Sequence, residues 1–77
     1  MKDIDQSIAK MLREIRESRK ISQETLSFDS NLHRTYISQL ERGLKSVTVK
    51  TLLKITTALD IEIDDFIKLV NDDRKTL

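Results

Sequence analysis

Between Ser22 and Gly43 the chain reads SQETLSFDSNLHRTYISQLERG, and few arrangements satisfy all the signals in that stretch. Ser22 ahead of Gln23, Glu24 and Thr25 marks a helix start, because its hydroxyl can accept a hydrogen bond from an orphan N–H of the first turn. Ile21 just before it can act as a hydrophobic staple, and Leu26 points to the core. Asp29, Ser30 and Asn31 then break the pattern; asparagine is the commonest non-glycine residue to tolerate the left-handed backbone that stops a helix. A second short helix runs from about Arg34 to Glu41 with Ile37 and Leu40 on its apolar face, and Gly43, the single glycine of the chain, is available to end it. The segment is thus two short helices, 22–29 and 34–41, joined by a tight turn. The second offers Arg34, Thr35, Tyr36, Ser38 and Gln39 on one face, a set of hydrogen-bonding side chains suited to touching something polar.

Hydrophobic periodicity supplies three more helices. Ile8, Met11, Leu12 and Ile15 fall at i, i+3, i+4 and i+7, which predicts an amphipathic helix over about 5–18. Thr48 is the cap expected for a helix over about 48–59, in which Leu52, Ile55 and Leu59 recur with Val49 and Ala58 flanking that face. Ile63, Phe66, Ile67 and Val70 repeat the pattern and predict a fifth helix over about 62–71. The polar tail, Asp72 to Leu77, is expected to fray. The absence of proline, the lone glycine and 35% charged residues agree with an all-α fold, a compact bundle of five helices forming a single domain over 1–77. A chain of 77 residues has a core only just large enough to carry folding, so oligomerisation is a natural supplement.

The inventory also excludes. Without cysteine there is neither a disulfide framework nor a thiolate metal site, and a single histidine leaves no His pair for catalysis or metal binding. No metal, cofactor or small-molecule ligand is expected, and the inventory disfavours an enzyme. No apolar run approaches the roughly 18 residues that suggest a membrane span, and MKDIDQSIAK has no secretion-signal character, so no membrane partner and a cytoplasmic location are expected. Charge is unevenly placed. Residues 1–50 hold ten bases and seven acids, whereas residues 51–77 hold four bases and six acids, as expected when one end faces phosphate. Arg34, Gln39 and Thr35 bring three chemistries that read base edges in a major groove: bidentate pairing with guanine, bidentate pairing with adenine, and methyl contact with thymine, respectively. A merely solvated helix face would carry the same residues.

The pieces SQETL, NLHRTYISQLERG and TLLKITTALDI, taken together at their spacing, resemble the helix-turn-helix domain of the lambda-repressor and Cro type, the Xre family. Most closely they resemble the controller proteins of restriction–modification systems, over about Ile8 to Val70. The resemblance implies a lambda-repressor-like helix-turn-helix bundle and a homodimeric transcription regulator on a pseudo-palindromic double-stranded DNA operator, controlling restriction–modification genes and its own expression. RNA polymerase is a further candidate partner. The rival reading is an antitoxin-type protein-interaction module with secondary DNA binding. Carried over by position, the base-reading set is Arg34, Thr35, Tyr36, Ser38 and Gln39; Tyr36 has an equal claim as a packing residue whose hydroxyl bonds a phosphate. Ser22 and Gln23 correspond to sugar–phosphate contacts, and Arg42, Lys45, Ser46, Thr48, Lys50 and Thr51 are placed to hold the next phosphates. Arg16 and Glu41 match an ion pair tying the first helix to the third, which if exposed contributes only about 0–1 kcal/mol.

Three positions depart from the family pattern. Asn31 stands where glycine is common in the turn, Ser27 where alanine is usual, and His33 where a capping Asp, Ser or Thr is common, leaving His33 a turn residue within reach of a phosphate. Asp64 and Asp65 read as first-turn acids favoured by the helix macrodipole rather than as metal ligands. The fifth-helix region carries more apolar residues than one short helix can bury; Phe66 is assigned to the core, while Ile61, Ile63, Ile67 and Val70 are the expected dimer interface.

Overall fold

The computed structural model describes residues 3–76, and among these the chain forms five helices and no strand: α1 (Ile4–Ser18), α2 (Gln23–Ser30), α3 (Arg34–Glu41), α4 (Val49–Ala58) and α5 (Ile63–Arg74). α1 packs on α3 and α5, α2 on α3 and α4, and α4 on α5. Leu12, Leu26, Ile37, Ile55, Leu59 and Phe66, drawn from all five helices and their ends, have no exposed surface. Each such side chain contributes about 1.5–3 kcal/mol relative to exposure, so the core is spread across every element.

The helix ends explain how the chain turns so tightly with one glycine. Ser22 Oγ accepts the Thr25 N–H at 3.0 Å, and Thr48 Oγ1 accepts the Thr51 N–H at 3.1 Å, so both expected caps are present. Asn31 is left-handed at φ 58°, and the Leu32 N–H returns to the Ser27 carbonyl at 3.0 Å. The same closure recurs with Lys20, Gly43 and Asp60 at positive φ, followed by Ile21, Leu44 and Ile61 donating to Arg16, Gln39 and Thr56. Four helices therefore end in one motif, and in three of them the residue after the left-handed turn, Ile21, Leu32 or Ile61, packs against the core. At Gly43 the positive φ of 72° is what favours glycine, since a Cβ there would meet only the mobile end of the exposed Gln6 side chain. Arg19 reinforces another corner, donating through Nε to the Leu59 carbonyl at the end of α4.

Three expectations need correction. α5 does not fray at Asp72 but runs to Arg74, because Asp73 is buried against α1 and accepts a 3.0 Å hydrogen bond from Lys10 Nζ; Leu77, the end of the expected tail, lies outside the described residues. Val49 does not flank the core face of α4, since it stands exposed in the first turn. Val70, assigned to a dimer interface, is 2% exposed inside this chain's own core and has nothing to offer a partner. Ile61 and Ile63 also pack partly against that core, whereas Ile67, 44% exposed, and Leu69, 38% exposed, stay open on opposite flanks of α5.

Candidate nucleic-acid interface

α3 divides cleanly into two faces. Ile37, Leu40 and Glu41 are buried, while Arg34 and Thr35 are exposed and Ser38 and Gln39 half-buried. With 3.6 residues per turn, positions 34, 35, 38 and 39 share one side, so the base-reading candidates form a strip along the helix. Tyr36 is half-buried with its side chain against the core, which agrees with the packing part of its two readings. His33 is the exposed N-cap of α3 and makes no side-chain cap bond, so the first N–H groups of the helix lack the side-chain acceptor that Ser22 and Thr48 supply elsewhere.

What holds this strip in place is a polar network at the far end of α3. Arg16 donates to Glu41 through Nε at 2.6 Å and Nη2 at 2.9 Å, a two-point fork with side-chain exposures of 11% and 2%. Its Nη1 donates to the Ile21 carbonyl at 2.7 Å, at the corner between α1 and α2, and Gln23 Nε2 donates to Glu41 Oε1 at 3.1 Å. One carboxylate thus joins α1 and the start of α2 to the end of α3. The pair is buried, so the small contribution expected of an exposed one does not apply. The hydrogen bond to Glu41 raises the Arg16 guanidinium above its ordinary range against the opposing pull of burial. A raised arginine contributes stability that is fully present below its unfolded value and is lost only above it, so Arg16 adds no pH dependence near neutrality.

The network also engages Gln23, one of whose two amide N–H groups donates to Glu41. Ser22 is exposed but already occupied, accepting from the Thr25 N–H and donating to Thr25 Oγ1 at 3.0 Å. Ser46 Oγ donates to Asp5 Oδ2 at 2.8 Å, and the Thr48 and Thr51 hydroxyls bond each other at 3.0 Å. The cations of the region are more open: Arg42 directly after α3, Lys45 in the loop and Lys50 in the first turn of α4 are all exposed. Glu24 escaped the sequence reading. It stands in the first turn of α2 with Oε2 at 3.9 Å from Arg34 Nη1. Helical periodicity shows that Glu24 is exposed, but only the turn between the helices shows that it faces the head of α3.

Among the described residues no three His, Cys, Asp or Glu side chains gather as metal ligands, and no helix is long and apolar enough to cross a membrane. The profile of the helix-turn-helix family matches residues 12–66. The control protein C.BamHI of Bacillus amyloliquefaciens is 44% identical over 57 residues, which are 73% of this chain and 70% of that protein. Among solved structures, the restriction–modification controller protein C.AhdI of Aeromonas hydrophila is 42% identical with a TM-score of 0.78, the match covering 80% of this chain and 94% of that one. The controller protein C.Esp1396I, solved as a tetramer with its natural 35 base-pair operator, is 28% identical with a TM-score of 0.90 over 99% of this chain and 100% of that one. Family profile, sequence identity and shape agree, and the chain belongs to the helix-turn-helix family, in the branch that holds these control proteins.

Proposed function

We propose that this chain is a sequence-specific transcription regulator of the restriction–modification controller type, binding double-stranded DNA in the cytoplasm as a homodimer on a pseudo-palindromic operator and controlling restriction–modification genes and its own expression. The observation that carries the reading is the division of α3: its apolar side is sealed into the core and braced by Arg16 and Glu41, while Arg34, Thr35, Ser38 and Gln39 remain available along the other side. A B-DNA major groove admits one α-helix, and the first turns of the second helix of the pair meet base edges there. Arg34 then supplies a fork for guanine and Gln39 one for adenine. Arg42, Lys45 and Lys50 follow in the chain and neutralise phosphates, fixing register without reading sequence.

The dimer rests on Ile67, open on one flank of α5, joined by the partly exposed Ile61 and Ile63. Two-fold pairing sets two reading helices about 34 Å apart, one turn of DNA. The tetrameric operator complex of C.Esp1396I supports this reading. Its test is a titration of the duplex upstream of the chain's own gene against a scrambled duplex of equal length, at two salt concentrations. Preference for the upstream duplex is expected, whereas no binding to either at low salt contradicts the reading. Arg42→Ala should weaken both duplexes alike and lower the salt slope by about 1 per subunit, the signature of one lost phosphate contact. A loss confined to the preferred duplex would instead make Arg42 a base reader.

A further inference from the structure

We infer that Glu24 is a positioning residue that raises discrimination between DNA sequences by acting on Arg34, an inference that rests on the DNA-reading role proposed for α3. The two side chains lie on successive helices of the pair, Oε2 to Nη1 at 3.9 Å, and are 81% and 64% exposed. That separation exceeds a hydrogen bond, so the carboxylate biases the guanidinium without locking it. In isolation an acid in the first turn of α2 is accounted for by the helix macrodipole. Facing Arg34, it has a second consequence.

A duplex of any sequence attracts Arg34 through its phosphates, and that attraction is not selective. A carboxylate beside Arg34 offsets part of the cation's charge and is itself repelled by phosphate, so it weakens docking on every duplex. Only where a guanine edge meets the fork is the loss recovered. Guanine O6 and N7 occupy two N–H groups, and the remaining donors of the guanidinium can still face Glu24, which holds the fork in the plane of the base. Glu24 therefore penalises the wrong duplex more than the right one, which is how specificity arises from a difference of affinities.

The test is a double-mutant cycle on the intact chain, with the duplex selected from a randomised pool by the wild-type protein and a scrambled duplex of the same length as probes. Glu24→Gln should raise affinity for the scrambled duplex about threefold or more, and for the selected duplex by less, so that the ratio of the two falls. In the Arg34→Ala background the same substitution should leave the ratio unchanged. Equal gains on both duplexes, or a fall in the ratio that persists without Arg34, overturn the role of Glu24 while leaving the reading role of Arg34 intact. If Arg34→Ala alone leaves the ratio unchanged, Arg34 is not a base reader and the role of Glu24 fails with it. Because Glu24 is exposed, thermal unfolding of Glu24→Gln should stay close to wild type, which separates the effect from a folding defect.

Discussion

Glu41→Ala is expected to lower the unfolding free energy by about 3–5 kcal/mol, a large part of the roughly 4–11 kcal/mol typical of a domain this size. The substitution removes the acceptor of both Arg16 hydrogen bonds and of the Gln23 amide, leaving a guanidinium whose side chain is 11% exposed with only the Ile21 carbonyl to bond. A stranded buried charge accounts for most of the loss; the attraction of the pair itself accounts for less. Accordingly the double substitution Arg16→Met with Glu41→Leu should recover much of the stability, though not the bond to Ile21, because two apolar side chains of similar volume avoid the desolvation that the ion pair incurs. Urea unfolding followed by helical circular dichroism decides it. A loss below about 1 kcal/mol for Glu41→Ala would place the pair among ordinary surface bridges.

Arg34→Ala should act almost wholly on DNA. Its side chain is 64% exposed and contacts the fold through the loose Glu24 pairing, so stability should change little. On a preferred operator the loss of one bidentate base contact is worth about 1–3 kcal/mol per half-site, and a dimer that reads two half-sites should lose about twice that if the sites act independently. Selection from a randomised pool should then show one position per half-site relaxing from guanine to any base. Equal loss on selected and scrambled duplexes would remove Arg34 from the base-reading set and make it a phosphate contact.

The parts of this fold legible in the sequence are those that depend on neighbours along the chain. Ser22 and Thr48 cap because the N–H each bonds lies three residues on, and Asn31 stops α2 because its own side chain tolerates positive φ. The Arg16–Glu41 pair was legible only through the family resemblance, and its burial was not, since exposure depends on how α1, α2 and α3 close over it. Lys20 adopts the same left-handed turn as Asn31 with no compositional mark, whereas Asp60, like asparagine, belongs to the residues that tolerate it; Ile21 and Ile61 dock on the core just after them. The last turn of α5 depends on Lys10 near the other end of the chain, and periodicity placed Val70 on the apolar side without showing that its own subunit covers it. The candidate strip on α3 came from local spacing. Glu24 beside Arg34 and Gln23 beside Glu41 did not, because both contacts are made across the turn by side chains whose facing is set in three dimensions.

The open side of α3 is the surface proposed to meet DNA. Backbone amide resonances of the isotopically labelled chain, followed while the selected duplex is added, test it most directly. The largest shifts are expected at Arg34, Thr35, Ser38 and Gln39, with a second group at Arg42, Lys45 and Lys50. Shifts centred on α5, with those of α3 unmoved, would contradict that proposal.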